Sequence, residues 1–169
     1  MKRKSWATVL ITGAICLAFA GPASAGDPSL PFAGFTRPGV DVSTAPVGCP
    51  DGSMWRYSSH AEGLFTHLGL VDFSITHCSS VDLATGAGTF VDGTITITAA
   101  NGDALFLAEH GTFQVSPWPN PARSDIQLVW VVSGGTGRFA NASGSGGATA
   151  LGDLAAGSTV SWFRGTISY

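Results

Sequence analysis

The chain has 169 residues, of which 44% are hydrophobic and 11% charged, and its formal net charge is −3 at pH 7. This length fits a single domain that is large enough to bury a hydrophobic core. The charge balance argues against the basic surface with which proteins bind nucleic acid or anionic membranes.

The first 25 residues have the three parts of a secretory signal peptide. Cationic residues at positions 2–4 precede an apolar run over residues 6–20, and residues 23–25 (ASA) fit the small-residue cleavage site. The apolar run is shorter than the roughly 20 residues that span a bilayer, so we expect no membrane anchor. We expect Sec-type export with cleavage after Ala25, to the extracellular space or the cell envelope. The mature chain then has no lysine, and five arginines face 11 acidic residues, so its net charge is −6.

Residues 26–53 are rich in proline and glycine and show no hydrophobic periodicity. They are predicted to form an extended or partly disordered arm before a folded domain over residues 54–169. Two cysteines remain after export, Cys49 near the end of this arm and Cys78 within the domain. A disulfide between them is expected, because exported proteins fold in an oxidising compartment. Two buried free thiols are the alternative.

The domain is predicted to be all-β, because β-branched and aromatic residues cluster in short runs between glycine-rich turns. No ten-residue stretch has a convincing helical period. Asn101-Gly102, between two such runs, favours a hairpin turn. Eight antiparallel strands without helices fit a sandwich or a closed barrel, and a closed barrel has no exposed edge strands. The strands are expected near residues 54–59, 63–78, 87–98, 104–115, 126–133, 136–142, 147–151 and 158–168.

Alternation along two neighbouring strands predicts which side chains face the core. Val91, Ile95 and Ile97 fall on one face of the first strand, opposite a row of threonines. On the second strand one face carries a carboxylate within an otherwise apolar row. That row is Leu105, Leu107, Glu109, Phe113 and Val115.

Glu109 is the candidate catalytic residue. If its side chain faces inward, loss of hydration should raise its pKa and make it a proton donor or acceptor. A salt bridge to Arg138 or Arg164, or an outward-facing carboxylate, is the alternative interpretation.

No cofactor is expected. Residues 135–140 (GTGRFA) match the dinucleotide-binding fingerprint, but the glycine- and serine-rich residues that follow cannot form the helix that this fingerprint must begin. No pair of histidines has the spacing of a metal motif, so no metal site is predicted, although one assembled from different strands stays open.

Several short phrases occur in order along the chain: THLG at 66–69, AANGD at 99–103, GGTGRF at 134–139, ASGSG at 142–146 and GTISY at 165–169. Together they resemble the allene oxide cyclase barrel-like superfamily, which includes plant dirigent proteins, and the chain is identified as a bacterial exported member. The resemblance implies an eight-stranded, antiparallel, calycin-like closed barrel with an apolar central cavity and no metal or organic cofactor. Allene oxide cyclases isomerise a fatty-acid epoxide, and dirigent proteins steer phenoxy-radical coupling. The shared phrases are turns and strands, so no catalytic residue carries over.

Three functions remain in competition. The first is binding of a small apolar molecule in the central cavity, with Trp130, Trp162 and His77 as candidate ligand-binding residues, although the tryptophans fit a plain core equally well. The second is a cofactor-free isomerase or cyclase in which Glu109 or a histidine is the acid or base. The third is a non-catalytic extracellular structural or interaction module with a solid barrel. A homo-oligomer stays open, because no interface can be identified from the sequence.

Overall fold

The computed structural model describes residues 28–116 and 123–169, and within them the chain is built of antiparallel strands. The predicted signal peptide, residues 1–25, lies outside the described residues. No helix in this part of the chain is long and apolar enough to cross a membrane. The strands are β1 (Leu30–Thr36), β2 (Val40–Thr44), β3 (Trp55–Phe65), β4 (Gly69–Val81), β5 (Ala87–Ala99), β6 (Ala104–Val115), β7 (Arg123–Gly135), β8 (Ser143–Asp153) and β9 (Ser158–Ser168).

The strands form one closed barrel. The order of pairing is β1-β9-β8-β7-β6-β5-β4-β3-β2, and β1 also pairs with β3, which closes the sheet. Eight strands therefore make up the ring, and β2 pairs with the first half of β3 as an additional strand. The predicted all-β fold and eight-stranded antiparallel closed barrel are confirmed. Closure leaves the ring without unpaired edges.

The segment that the sequence suggests is an arm supplies two of these strands. β1 pairs with β9 over Leu30–Phe35 and with β3 over Gly34–Thr36. Pro38 lies between β1 and β2, where a residue without a backbone N–H interrupts the ladder. These strands are short and broken by proline and glycine, so they show no periodicity that local sequence could reveal.

Two predicted strands differ most from the structure. The expected strand over 136–142 is instead a short 3-10 turn at Gly137–Phe139, because Gly137 has a φ of 57° and cannot extend the ladder. The expected strand over 63–78 is split by a turn between β3 and β4. His67 and Gly69 adopt φ values of 67° and 75° there, in the left-handed region that reverses the chain.

The predicted inward row on β6 is confirmed, since Leu105, Leu107 and Glu109 are all buried. On β5 the prediction is wrong for Val91, which is exposed. A β-bulge shifts the register of β5 between Phe90 and Gly93, with Asp92 at a φ of 52°, so the alternation reverses at this point.

Large side chains fill one end of the barrel. Trp130 is 1% exposed, packs edge-on against Phe32 and donates a hydrogen bond to the Gly147 carbonyl at 3.2 Å. A side chain at either Gly146 or Gly165 would collide with this indole, so the glycines of β8 and β9 make room for it. Phe139 on the 3-10 turn is fully buried within the same core. This end of the barrel is therefore solid.

The predicted disulfide is confirmed and lies toward the opposite end. Cys78 on β4 bonds to Cys49, which precedes β3. The bridge ties the segment between β2 and β3 to the barrel wall. Cys78 directly follows His77, whose side chain faces the interior.

Candidate functional site

A half-open cavity of about 410 Å³ occupies the end of the barrel opposite the solid core. This volume lies within the range of small-molecule sites. Its walls are mostly aromatic and aliphatic, with a few polar groups. The residues that line it include Asp41, Trp55, Tyr57, His77, Phe90, Phe113, Val115, Asp153 and Thr159.

A buried histidine–carboxylate pair forms one side of this cavity. His77 Nδ1 lies 2.8 Å from Glu109 Oε1, and the Glu109 side chain is fully buried. Because a carboxylate accepts hydrogen bonds, the geometry places the donor proton on Nδ1 and leaves Nε2 as the ring nitrogen for a cavity ligand. His77 lines the cavity, and Glu109 lies behind it.

The β5 bulge positions this pair. It turns Phe90 inward, where its ring stacks on the His77 imidazole with centroids 4.4 Å apart. It also places Gly93 against Glu109, where any side chain would overlap the carboxylate. Tyr57 stacks on the other face of His77 at 4.8 Å, since these two residues are cross-strand partners on β3 and β4. The imidazole is therefore held between two rings and can turn little.

A second polar chain begins at Tyr57, beside His77. The Tyr57 hydroxyl donates to Thr159 Oγ1 at 3.3 Å, and Thr159 Oγ1 donates to Asp41 Oδ2 at 2.7 Å. Burial raises the pKa of the Tyr57 hydroxyl far above its ordinary value, and the nearby Asp41 charge adds to this effect. Tyr57 is thus a neutral hydrogen-bond donor at any physiological pH.

The structure brings together two of the sequence-predicted site residues and separates the others. Glu109 and His77 form the buried pair, and Glu109 contacts neither of the arginines considered as partners from the sequence. Trp130 belongs to the solid core, and Trp162 lies on the outer face with 45% of its surface exposed. Neither tryptophan lines the end cavity.

Sequence reasoning missed Asp41 and Tyr57. Asp41 lies on β2, within the segment interpreted as an arm, and Tyr57 lies near the start of β3, to whose faces the sequence analysis assigned no residues. The signal that could have found Tyr57 is the alternation Tyr57, Ser59, Ala61, which continues along β3 into the buried core. Nothing local distinguishes Asp41, because its place is set by pairing with β3.

The arrangement offers hydrogen bonding and proton transfer within an apolar setting. No group of three or more histidine, cysteine or acidic side chains that could hold a metal ion occurs in residues 28–116 and 123–169. The polar side chains that line the cavity include His77, Tyr57 and Asp41, together with Asp153, Thr159 and three serines.

Comparisons with known proteins were made for the family, for curated relatives and for solved structures. No family model and no curated protein matches the chain. Among solved structures the chain is similar to a pterocarpan synthase dirigent protein, at 16% identity and a TM-score of 0.44, over 87% of this chain and 88% of that one. The barrel assignment therefore rests on the pairing of the strands themselves, and membership of the allene oxide cyclase barrel-like superfamily stays a prediction.

Proposed function

We propose that this protein binds a small, largely apolar molecule in the end cavity of an exported barrel. The observation that carries the proposal is the contrast between the two ends of the barrel interior. One end is packed with side chains, while the other is open over about 410 Å³ and lined by rings. Apolar walls with a few convergent polar groups are how proteins bind small molecules.

The cavity sets a size limit on the ligand. Its inner boundary is the packed core beneath His77 and Phe90, so a ligand enters from the β2 end and does not pass through. Burial of aromatic surface supplies the affinity at about 25 cal/mol per Å² before the entropic cost of binding is subtracted. Hydrogen bonds to Tyr57 or His77 would fix the orientation of the ligand.

Blocking the cavity tests this proposal. Val115 lines the cavity, so Val115→Trp should fill part of it and weaken binding of the neutral fluorophore N-phenyl-1-naphthylamine at least about tenfold. Val131→Trp is the matched control, because Val131 is exposed on the outer face of β7 and the same change there leaves the cavity open. Fluorescence titration of the purified proteins measures both. Equal affinities of the two variants, or no binding by the wild type, would contradict the proposal.

A second candidate function is acid–base catalysis of an isomerisation or cyclisation, and the buried His77–Glu109 pair favours it. His77 Nε2 would remove a proton from the bound molecule and return it to another atom of that molecule. Glu109 would stabilise the imidazolium formed in between, as a carboxylate does behind a general-base histidine. No cofactor enters this step, because the proton is only moved.

Isotope exchange tests this second candidate. The molecule that co-purifies with the protein from its own host is incubated with fresh protein in D₂O and followed by mass spectrometry. Wild-type protein should incorporate deuterium or convert the molecule, and Glu109→Gln should do so at least about 100-fold more slowly. Equal rates in the two proteins would remove the pair from the chemistry and leave binding alone.

A further inference from the structure

The charged groups of the end cavity are unbalanced. Asp41 and Asp153 line it and Glu109 lies behind its wall, whereas His77 is the only ionisable base among the described residues that line it. Asp153 is the cross-strand partner of Arg123, but the two side chains form no ion pair, and Asp153 Oδ1 instead accepts the Ala155 and Ala156 N–H groups. The interior is therefore net negative whether His77 is neutral or protonated.

Asp41 has an oxygen that the protein leaves unpaired. Its Oδ2 accepts the Thr159 hydroxyl, but its Oδ1 is buried and has no hydrogen-bond partner in the part of the chain that the structure describes. A buried acceptor without a donor costs about 1–3 kcal/mol, and more when it is charged. Asp41 lines the cavity, but Oδ1 itself is shielded from solvent, so a ligand donor reaches this carboxylate only when the side chain turns.

Aromatic rings surround the same space. Trp55, Tyr57, Phe90 and Phe113 all line the cavity. Aromatic ring faces carry partial negative charge and attract cations, with a gain of about 0.5–2 kcal/mol per contact. Rings and a carboxylate together make a setting that suits a positive charge and disfavours a negative one.

From these three features we infer that the ligand is an organic cation, with an apolar body in the ring-lined cavity and a protonated amine donating to the Asp41 carboxylate. This inference rests on the proposed binding function and adds the charge of the ligand to it. An N⁺–H donor to this carboxylate offsets one negative charge of the interior in one contact. A carboxylic acid of the same size would face Asp41 with like charge in a poorly hydrated space and should be excluded.

Three probes of one shape and different charge test the inference. They are 2-phenylethylamine, 2-phenylethanol and 3-phenylpropionate, which are cationic, neutral and anionic at pH 7. Affinities are measured on the full mature protein by NMR titration, following resonances of the cavity-lining residues. We expect the amine to bind at least about tenfold more tightly than the alcohol, and the carboxylate more weakly than either.

Substitutions test whether the Asp41 carboxylate causes the preference for the amine. Asp41→Asn should lower the affinity for the amine to that for the alcohol while leaving the alcohol nearly unchanged. Asp92→Asn is the matched control, because it removes the same charge from an exposed bulge position whose positive φ asparagine accepts. It should leave all three affinities within about twofold. If Asp41→Asn does not fold, Asp41→Glu moves the carboxylate, and its preference for the amine should fall at least about threefold.

The outcomes distinguish failure of the cationic-ligand inference from failure of the proposed binding function. Equal binding of amine and alcohol by the wild type, or an amine preference that survives in a folded Asp41 variant, overturns the cationic ligand and leaves apolar binding in place. Absence of binding by all three probes and by N-phenyl-1-naphthylamine overturns the binding function itself.

Discussion

At the scale of single residues, the pair of His77 and Glu109 is the most unusual feature of the interior. A buried carboxylate is stable only when its lost hydration is replaced, and Glu109 has one hydrogen bond, to His77 Nδ1. Its second oxygen, Oε2, is buried without a partner among the described residues. Burying this carboxylate at the cavity wall therefore costs stability. Functional sites are where proteins commonly have ionisable groups in such environments.

The two halves of the pair should respond differently to substitution. His77→Phe keeps the ring stack but leaves the Glu109 carboxylate unpaired, and it should lower the free energy of unfolding by about 3 kcal/mol. Glu109→Gln keeps an acceptor for Nδ1–H and removes the buried charge, so its effect should be about 1 kcal/mol or less. Urea denaturation of both variants measures the difference. A histidine variant as stable as the wild type would show that Glu109 needs no partner.

At the scale of elements, β1 decides whether the barrel closes. It is the only described strand that pairs with both β9 and β3, so the first and last parts of the domain meet through it. Its side chains alternate between the core and the outside, so Phe32 and Phe35, an odd number of residues apart, lie on opposite faces. Phe32 is 1% exposed and touches Trp130, while Phe35 is 42% exposed.

Substitution of these two phenylalanines tests the role of β1. Phe32→Ala should lower the free energy of unfolding by about 3–5 kcal/mol, because it leaves a cavity in the solid core. Phe35→Ala makes the same chemical change on the outer face and should cost less than about 1 kcal/mol. Thermal and urea unfolding of the two variants provide the comparison. Similar small effects would mean that residues 30–36 are an appended arm, as the sequence suggests, and not a part of the ring.

At the scale of the whole molecule, closure makes contacts between residues far apart in the chain. β1 pairs with β9, so the ladder that completes the ring forms only when both ends of the domain come together. Such non-local pairing carries a large loss of chain entropy. The Cys49–Cys78 bridge links two positions 29 residues apart and so lowers the entropy of the unfolded chain. Less entropy is then lost when the chain folds.

Removal of the bridge tests this contribution. The double variant Cys49→Ser, Cys78→Ser should lose about 3–4 kcal/mol of unfolding free energy, from the loop-closure entropy of a 30-residue loop. Guanidinium denaturation measures the loss, and wild-type protein reduced with dithiothreitol should show the same value. A loss below about 1 kcal/mol in both would mean that the unfolded chain is already compact around these residues.

Local patterns in the sequence were sufficient for several features. The bounds of β6 and β9 are confirmed at both ends, and the inward position of Glu109 follows from alternation along β6. The same logic failed at Val91, because a bulge reverses the alternation without a recognisable signal in the sequence. It also failed for β1 and β2, because the prolines and glycines around them leave no alternating pattern. These two strands are recognised only from their pairing with β3.

By itself the sequence determined the all-β class of fold, and it favoured the cysteine pair and placed Glu109 in an apolar row, because each depends on residue type or on a two-residue period. Only the tertiary structure decided that His77 is the partner of Glu109, that Asp41 reaches the same cavity and that Trp162 does not. These facts depend on strand register, on the position of one bulge and on which strand closes the ring. The physical reason is that a strand's own residues specify its two faces, while the neighbours of each face come from distant parts of the chain.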